Sequence, residues 1–239
     1  MKARYEQIVW DNYEDAFSAF TSSHMVEIYK ELAPLGTGDV INFGCGSYKS
    51  GPYLLDNPRV SSLTGIDYSL NMVNKARWFL RQFQAVDNIK PVEIIHGKIE
   101  DLESDHYELE IAPGIYEIVK HIRYDFGFSI NSLYAWDDPE NSLISIRNTL
   151  KSDASFILIN PNPRLDMEGL LRDARREQLG NPLFQSFAIQ NEVLVGNEKA
   201  LFLELNDLID LVRHIGFKVK EASDSKFYNG GLNYLHLVA

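Results

Sequence analysis

Cysteine occurs once in these 239 residues, as Cys45, so an intrachain disulfide is excluded and a reducing compartment is expected. No run of about 18 apolar residues is present to span a bilayer, and Met1 to Glu6 lacks the apolar stretch of a secretory leader. Positive charge is also scarce, because 23 lysines and arginines face 34 aspartates and glutamates, a net charge of −11. A nucleic-acid backbone is gripped by a clustered basic face. The densest candidate, Arg172, Arg175 and Arg176, is interleaved with Asp173 and Glu177 as on a solvated helix. No nucleic-acid or membrane partner is therefore expected, and a cytoplasmic location is. Repeats, low-complexity tracts and interdomain linkers are missing too, and the length suits one α/β domain over residues 1–239. His106 and His121 stand too far apart to give a metal-ligand spacing, so no metal is expected.

What is present begins with Asp39-Val40-Ile41-Asn42-Phe43-Gly44-Cys45-Gly46-Ser47, an apolar strand running into two glycines one residue apart. Glycine lacks the Cβ that would hold a ligand off the main chain, so the turn reads as a cradle. A second strand, Leu63-Thr64-Gly65-Ile66-Asp67, ends in an acid 21 positions after Gly46, where the next strand of a βαβ unit would hold a carboxylate against a ribose diol. A dinucleotide fingerprint would want a third glycine where Lys49 stands, so the pyrophosphate cradle is poor. Cys45 lies inside the turn with no histidine near it in sequence, which reads as a packed turn residue and not a nucleophile.

Taken in order, residues 5–33 read as two helices broken at Thr21, Ser22 and Ser23, which offer N-caps to the second. Ser50-Gly51-Pro52 starts a short helix. Ser69 caps a helix with one apolar face from Leu70 to Phe83. Val92 to Ile95 is a third strand, Tyr124 to Ile130 a fourth and Ser155 to Ile159 a fifth, with a helix from Asp138 to Leu150 between the last two. Leu165 to Leu179 reads as a charged amphipathic helix and Asn181 to Glu198 as irregular with short extended pieces. A helix near Glu204 to His214 and strands at Phe217 to Val219 and Leu232 to Val238 close the chain. Strands alternating with helices argue a doubly wound parallel sheet with helices on both faces.

Several segments together resemble the class I S-adenosylmethionine-dependent methyltransferase family over most of residues 5–239. Val40 to Gly46 is similar to its first motif, Gly65-Ile66-Asp67-Tyr68-Ser69 to its ribose-binding acid, Gly97-Lys98-Ile99-Glu100-Asp101-Leu102 to its adenine turn, and Ile215-Gly216-Phe217 to the signature before the late strand pair. The resemblance implies a Rossmann-like seven-stranded sheet, mostly parallel with an antiparallel last strand. A helical lead-in over 1–36 and a substrate lid over 161–200, inserted after strand five, complete the implied architecture. It implies S-adenosylmethionine as cofactor, S-adenosylhomocysteine as product, and a small-molecule methyl acceptor. The implied cofactor residues are Tyr13, Asn42, Gly44, Cys45, Gly46, Asp67, Tyr68, Met72, Lys98, Ile99, Glu100, Ser129 and Asn131. Three positions depart from the family pattern: Asn42 for an acid, Tyr48 for a third glycine, which must turn away or cover the pocket, and Lys98 for an aspartate. They leave open a non-catalytic relative, or another reaction of the same sulfonium.

Methyl transfer from a sulfonium disperses charge, so it gains from alignment in a dry, aromatic pocket. Tyr5, Trp10, Tyr13, Phe17, Tyr134 and Trp136 are placed to line it, and His24 and Tyr134 are the candidate catalytic residues should the nucleophile arrive protonated. Asn160, Asn162, Arg164, Phe184, Phe187 and Asn191 are candidate lid residues, and the same segment could serve a homodimer contact.

Overall fold

The computed structural model describes residues 21–83, 90–103, 106–112, 115–120, 123–195 and 200–239. Tyr13 and the rest of the first lead-in helix lie outside them. The second lead-in helix is α1 (Ser23–Leu32), capped where Ser22 Oγ accepts from the Met25 amide at 3.3 Å. Then follow β1 (Gly38–Phe43), α2 (Gly51–Leu55), β2 (Val60–Asp67), α3 (Leu70–Arg81) and β3 (Val92–His96). Ser69 caps α3 by accepting from the Met72 amide at 3.2 Å. An antiparallel hairpin, β4 (His106–Ala112) with β5 (Ile115–Lys120), precedes β6 (Tyr124–Ile130). The end of the chain is α4 (Pro139–Thr149), β7 (Leu150–Pro161), α5 (Met167–Glu177), α6 (Phe184–Val195), α7 (Leu205–Ile215), β8 (Lys218–Ser223) and β9 (Leu232–Val238).

Seven strands form one sheet in the order β3-β2-β1-β6-β7-β9-β8. β1, β2, β3, β6 and β7 run parallel, and β9 inserts antiparallel between β7 and β8. Near-continuous apolar strands are what a sheet covered on both faces requires. Side chains alternate between two cores: Val40, Ile157 and Ile159 pack with α1, α2 and α3, while Ile41, Phe156 and Leu158 pack with α4 and α7. A register shift between Tyr124 and Phe126 breaks the alternation in β6, so Tyr124 joins the second core and Phe126 the first.

Two readings of the sequence need correction. The segment after Asn181 is not irregular but carries α6, whose start is organised by Asn181 Oδ1 accepting from the Leu183 amide at 3.0 Å. Its apolar residues recur without one clear face, because Phe184 and Ala188 pack on α5 while Ile189 and Val193 stay exposed, so helical periodicity was hidden. The β4–β5 hairpin was not anticipated, although Tyr107, Leu109 and Ile111 alternate ahead of Pro113-Gly114.

A titrating side chain is built into the sheet. His236 on β9 is buried with Nε2 3.0 Å from Ser155 Oγ, and burial pushes its pKa down, helped by Lys220 and Lys226 and opposed by Glu221. An unfolded chain takes up this proton near pH 6.5 while the folded chain resists it, so stability should fall as pH drops from about 7 to about 5. His236→Gln should flatten the urea midpoint across that window. An unchanged slope in the variant would assign the effect to another group.

Candidate active site

The chain passes from β1 outward to β2 and β3, then returns on the other side of β1 as β6. Loops leaving β1 and β6 therefore diverge, which is where open α/β sheets bind ligands. A cavity of about 480 Å³ opens there, within the ~300–1,000 Å³ usual for small-molecule sites. The loops after β1, β2, β3 and β6 line it from below, and α1, α5 and α6 from above.

The two glycines of the first loop do different work. Gly44 has φ +69°, and a Cβ there would fall 1.9 Å from Ser132 Oγ, so Gly44 lets the loop after β6 approach. Ser132 is fixed in turn by the Trp136 indole, which donates to its hydroxyl at 2.8 Å. Gly46 has φ +52°, and a Cβ there would meet nothing within 4 Å, so its bare backbone faces open space. The Gly46 amide donates to Asp67 Oδ2 at 2.7 Å, and the Ser69 amide to Asp67 Oδ1 at 2.9 Å.

Tyr48 lines the cavity but sends its hydroxyl inward. It adopts φ 54° and runs into the core, where its hydroxyl donates to the Thr64 carbonyl at 3.1 Å. Gly65 on β2 makes room, since a Cβ there would lie 3.0 Å from the Tyr48 ring and 2.9 Å from Cys45 Sγ. Burial raises the Cys45 thiol pKa and the neighbouring Asp67 charge adds to it, which argues against a thiolate nucleophile.

Of the residues the resemblance implies for the cofactor, Asn42, Gly44, Cys45, Gly46, Asp67, Tyr68, Met72, Lys98, Ile99, Glu100 and Asn131 line the cavity. Ser129 does not: it is fully buried on the strand before the cavity-lining Ile130, and its hydroxyl has no partner. Lys98 places its ammonium 5.5 Å from the Tyr68 ring centroid, and Glu100 accepts from the Ser142 hydroxyl of α4. Beside the glycine loop, three buried polar atoms lack a hydrogen-bond partner: Asn42 Oδ1, Ser47 Oγ and Asn131 Oδ1. Such groups are costly unless something satisfies them.

The roof is tied down at one end of α5. Glu177 accepts from the Ser23 amide at 2.9 Å and from the Ser23 hydroxyl, and Asp173, one turn earlier, lies 3.7 Å from His24 Nε2. The Tyr228 ring meets His24 edge-on with centroids 5.3 Å apart. His24 and Tyr134 both line the cavity, and Tyr134 also packs edge-on against Phe202. Of the suggested lid residues, only Phe187 and Asn191 reach the cavity. Asn160 and Asn162 are buried and brace backbone at Tyr134, Leu201, Arg164 and Gly230, Arg164 pairs with Asp224, and Phe184 packs between the lid helices. Sequence reasoning missed Ser132 and Tyr228, and the turn cluster Asn229-Gly230-Gly231 was the one available signal for the latter.

Among the described residues no group of three or more metal-ligating side chains occurs, and no helix is long and apolar enough to cross a membrane. No protein-family model matches the chain, and no curated protein does. Solved structures do. A SAM-dependent methyltransferase from Aquifex aeolicus matches with TM-score 0.57 at 15% identity, over 87% of each chain. Magnesium protoporphyrin IX methyltransferase from Synechocystis, with bound S-adenosylhomocysteine, matches with TM-score 0.57 at 14% identity, over 96% of this chain and 86% of that one. The [4+2]-cyclase SpnF matches with TM-score 0.58 at 13% identity, over 90% of this chain and 79% of that one. With its sheet order and its late antiparallel strand, the chain has the fold of the class I S-adenosylmethionine-dependent methyltransferases.

Proposed function

We propose that this chain is an S-adenosylmethionine-dependent methyltransferase acting on a small-molecule acceptor. The observation that carries the reading is Asp67, turned onto the Gly46 amide at the edge of an open hollow beside the first strand. The residues present fit the cofactor. An acid ends the second strand for the ribose hydroxyls. The unpartnered Asn42 and Asn131 oxygens are acceptors for an amino group, and no phosphate-binding glycine follows the turn.

Bound S-adenosylmethionine supplies an electrophilic methyl group on a positively charged sulfur. Asp67 would hold the ribose, and Tyr68 and Ile99, which line the same part of the cavity, would hold the adenosine. Asn42 stands, as a neutral amide, where the family commonly has an acid, and Asn131, just after β6, lines the same cavity. Tyr134, Trp136 and the lid, which line the cavity, would keep water from the methyl, and aromatic faces favour a cation over water.

The glycines separate fold from binding. Gly46→Ala should fold with a cost of about 1–2 kcal/mol for its left-handed backbone, yet bind S-adenosylhomocysteine more than about tenfold more weakly by calorimetry. Wild-type affinity in the folded variant would place the ligand elsewhere. Wild-type protein should bind S-adenosylhomocysteine at micromolar strength and transfer labelled methyl to small acceptors.

A second reading is favoured by the likeness to a [4+2]-cyclase: the same hollow could shape a reaction other than methyl transfer. That reading expects turnover of an acceptor-like compound without label transfer. A third, non-catalytic reading draws on Lys98, which has only donors to offer the adenine, and expects neither outcome.

A further inference from the structure

We propose that the roof end of the cavity takes a neutral phenol, and that His24, held by Asp173, accepts the phenolic proton as the oxygen takes the methyl group. The proposal rests on the cofactor reading above and adds the acceptor class and the base.

The cavity divides by charge. Among the described residues its charged lining side chains, apart from His24, are Asp67 at the end of β2 and Lys49, Lys98, Glu100, Asp137 and Asp138 in the connections after β1, β3 and β6. The part roofed by α1, α5 and α6 is lined by no lysine, arginine, aspartate or glutamate among the described residues. Among the described residues a carboxylate or phosphate acceptor would meet no cation there, and an ammonium no carboxylate, so these walls offer a charged acceptor no replacement for its hydration. The walls are instead Met25, Leu170, Leu171, Phe187 and Leu194, with Tyr134 across from them, surfaces suited to a flat apolar body.

Among the described residues, one group in that apolar end can take a proton. His24 lines the cavity with Nε2 toward Asp173 Oδ2 at 3.7 Å and the Tyr228 ring edge against its face. With Nε2 turned toward Asp173, Nδ1 is the ring nitrogen left to accept a proton from a guest. Asp173 itself does not line the cavity, so it acts through His24 as a positioning residue.

Acidity selects a phenol over an alkanol. A phenolic hydroxyl titrates near pH 10, close enough to an imidazole for transfer during bond formation, whereas an alkanol holds its proton far more tightly. In the step, the bond from phenol oxygen to methyl carbon forms as the methyl–sulfur bond breaks. The electron pair of the broken bond stays on sulfur as a neutral thioether. The phenolic proton passes to His24 and from there to solvent.

The test uses the full chain, first checked for S-adenosylhomocysteine binding, with methyl-labelled S-adenosylmethionine and neutral phenols of graded acidity beside benzoates, aryl phosphates and benzylamines. Label should pass to phenols and not to the charged compounds. His24→Gln should bind S-adenosylhomocysteine as the wild type does and lower kcat about 10²-fold or more for the weakest acids. The loss should shrink steadily toward phenols already ionised at the assay pH. Asp173→Asn should show the same trend with a smaller loss. Transfer to charged acceptors instead, or an equal His24→Gln loss across the phenol series, would overturn the proposal. S-adenosylhomocysteine binding with no transfer to any phenol overturns it while sparing the cofactor reading, and absence of binding sinks both.

Discussion

Asp67→Ala should weaken S-adenosylhomocysteine binding by about 10²- to 10⁴-fold. A hydrogen bond to a charged group contributes about 1.5–3 kcal/mol, a ribose diol makes two, and each 1.4 kcal/mol is tenfold in affinity. The variant also frees the Gly46 and Ser69 amides, so the glycine turn and the entry to α3 lose an anchor together. Stability should fall by about 1–3 kcal/mol for the amides left without an acceptor. Asp67→Asn separates the two effects, because it retains one acceptor oxygen but presents a donor to the diol. It should fold better than the alanine variant and bind almost as poorly. Calorimetry beside thermal melts reads both quantities, and full affinity in a folded Asp67→Ala protein would remove the ribose assignment.

The largest expected loss of stability is at Phe156. Its ring lies in the centre of β7, fully buried, stacked on Phe217 at 5.7 Å and edge-on to Phe43 at 5.9 Å. Phe156→Ala should cost about 3–5 kcal/mol, the transfer term plus an unfilled cavity. Phe156→Leu keeps most of the volume and should cost less than about 1.5 kcal/mol. Because Phe43 precedes Gly44, the alanine variant should also loosen the glycine turn and lower S-adenosylhomocysteine affinity, although Phe156 does not line the cavity. Guanidinium unfolding gives the first quantity and ligand titration the second. A loss below 1.5 kcal/mol in the alanine variant would show that the sheet repacks around the hole.

Much of this was legible in the sequence because its signals are local. Strand, glycine turn and Asp67 declare themselves by spacing, and Ser22, Ser69 and Asp138 cap the helices expected to follow them. What was hidden depends on pairs distant in sequence. Nothing around Gly44 says that Ser132 takes the space its Cβ would fill, and nothing around Tyr48 says that Gly65 opens a slot for its ring. Asn160, Asn162 and Arg164 look like pocket residues in sequence but are spent on backbone and on Asp224. Ser129 sits one residue too early to line the cavity, which its neighbour Ile130 does. α6 escaped detection because it is apolar on its buried and exposed sides alike.

The grip of Glu177 and Asp173 on Ser23 and His24 has a mechanical consequence. Two contacts one turn apart, closing on consecutive residues, fix the helix against sliding along its axis, since any shift shorter than a turn of about 5.4 Å breaks both at once.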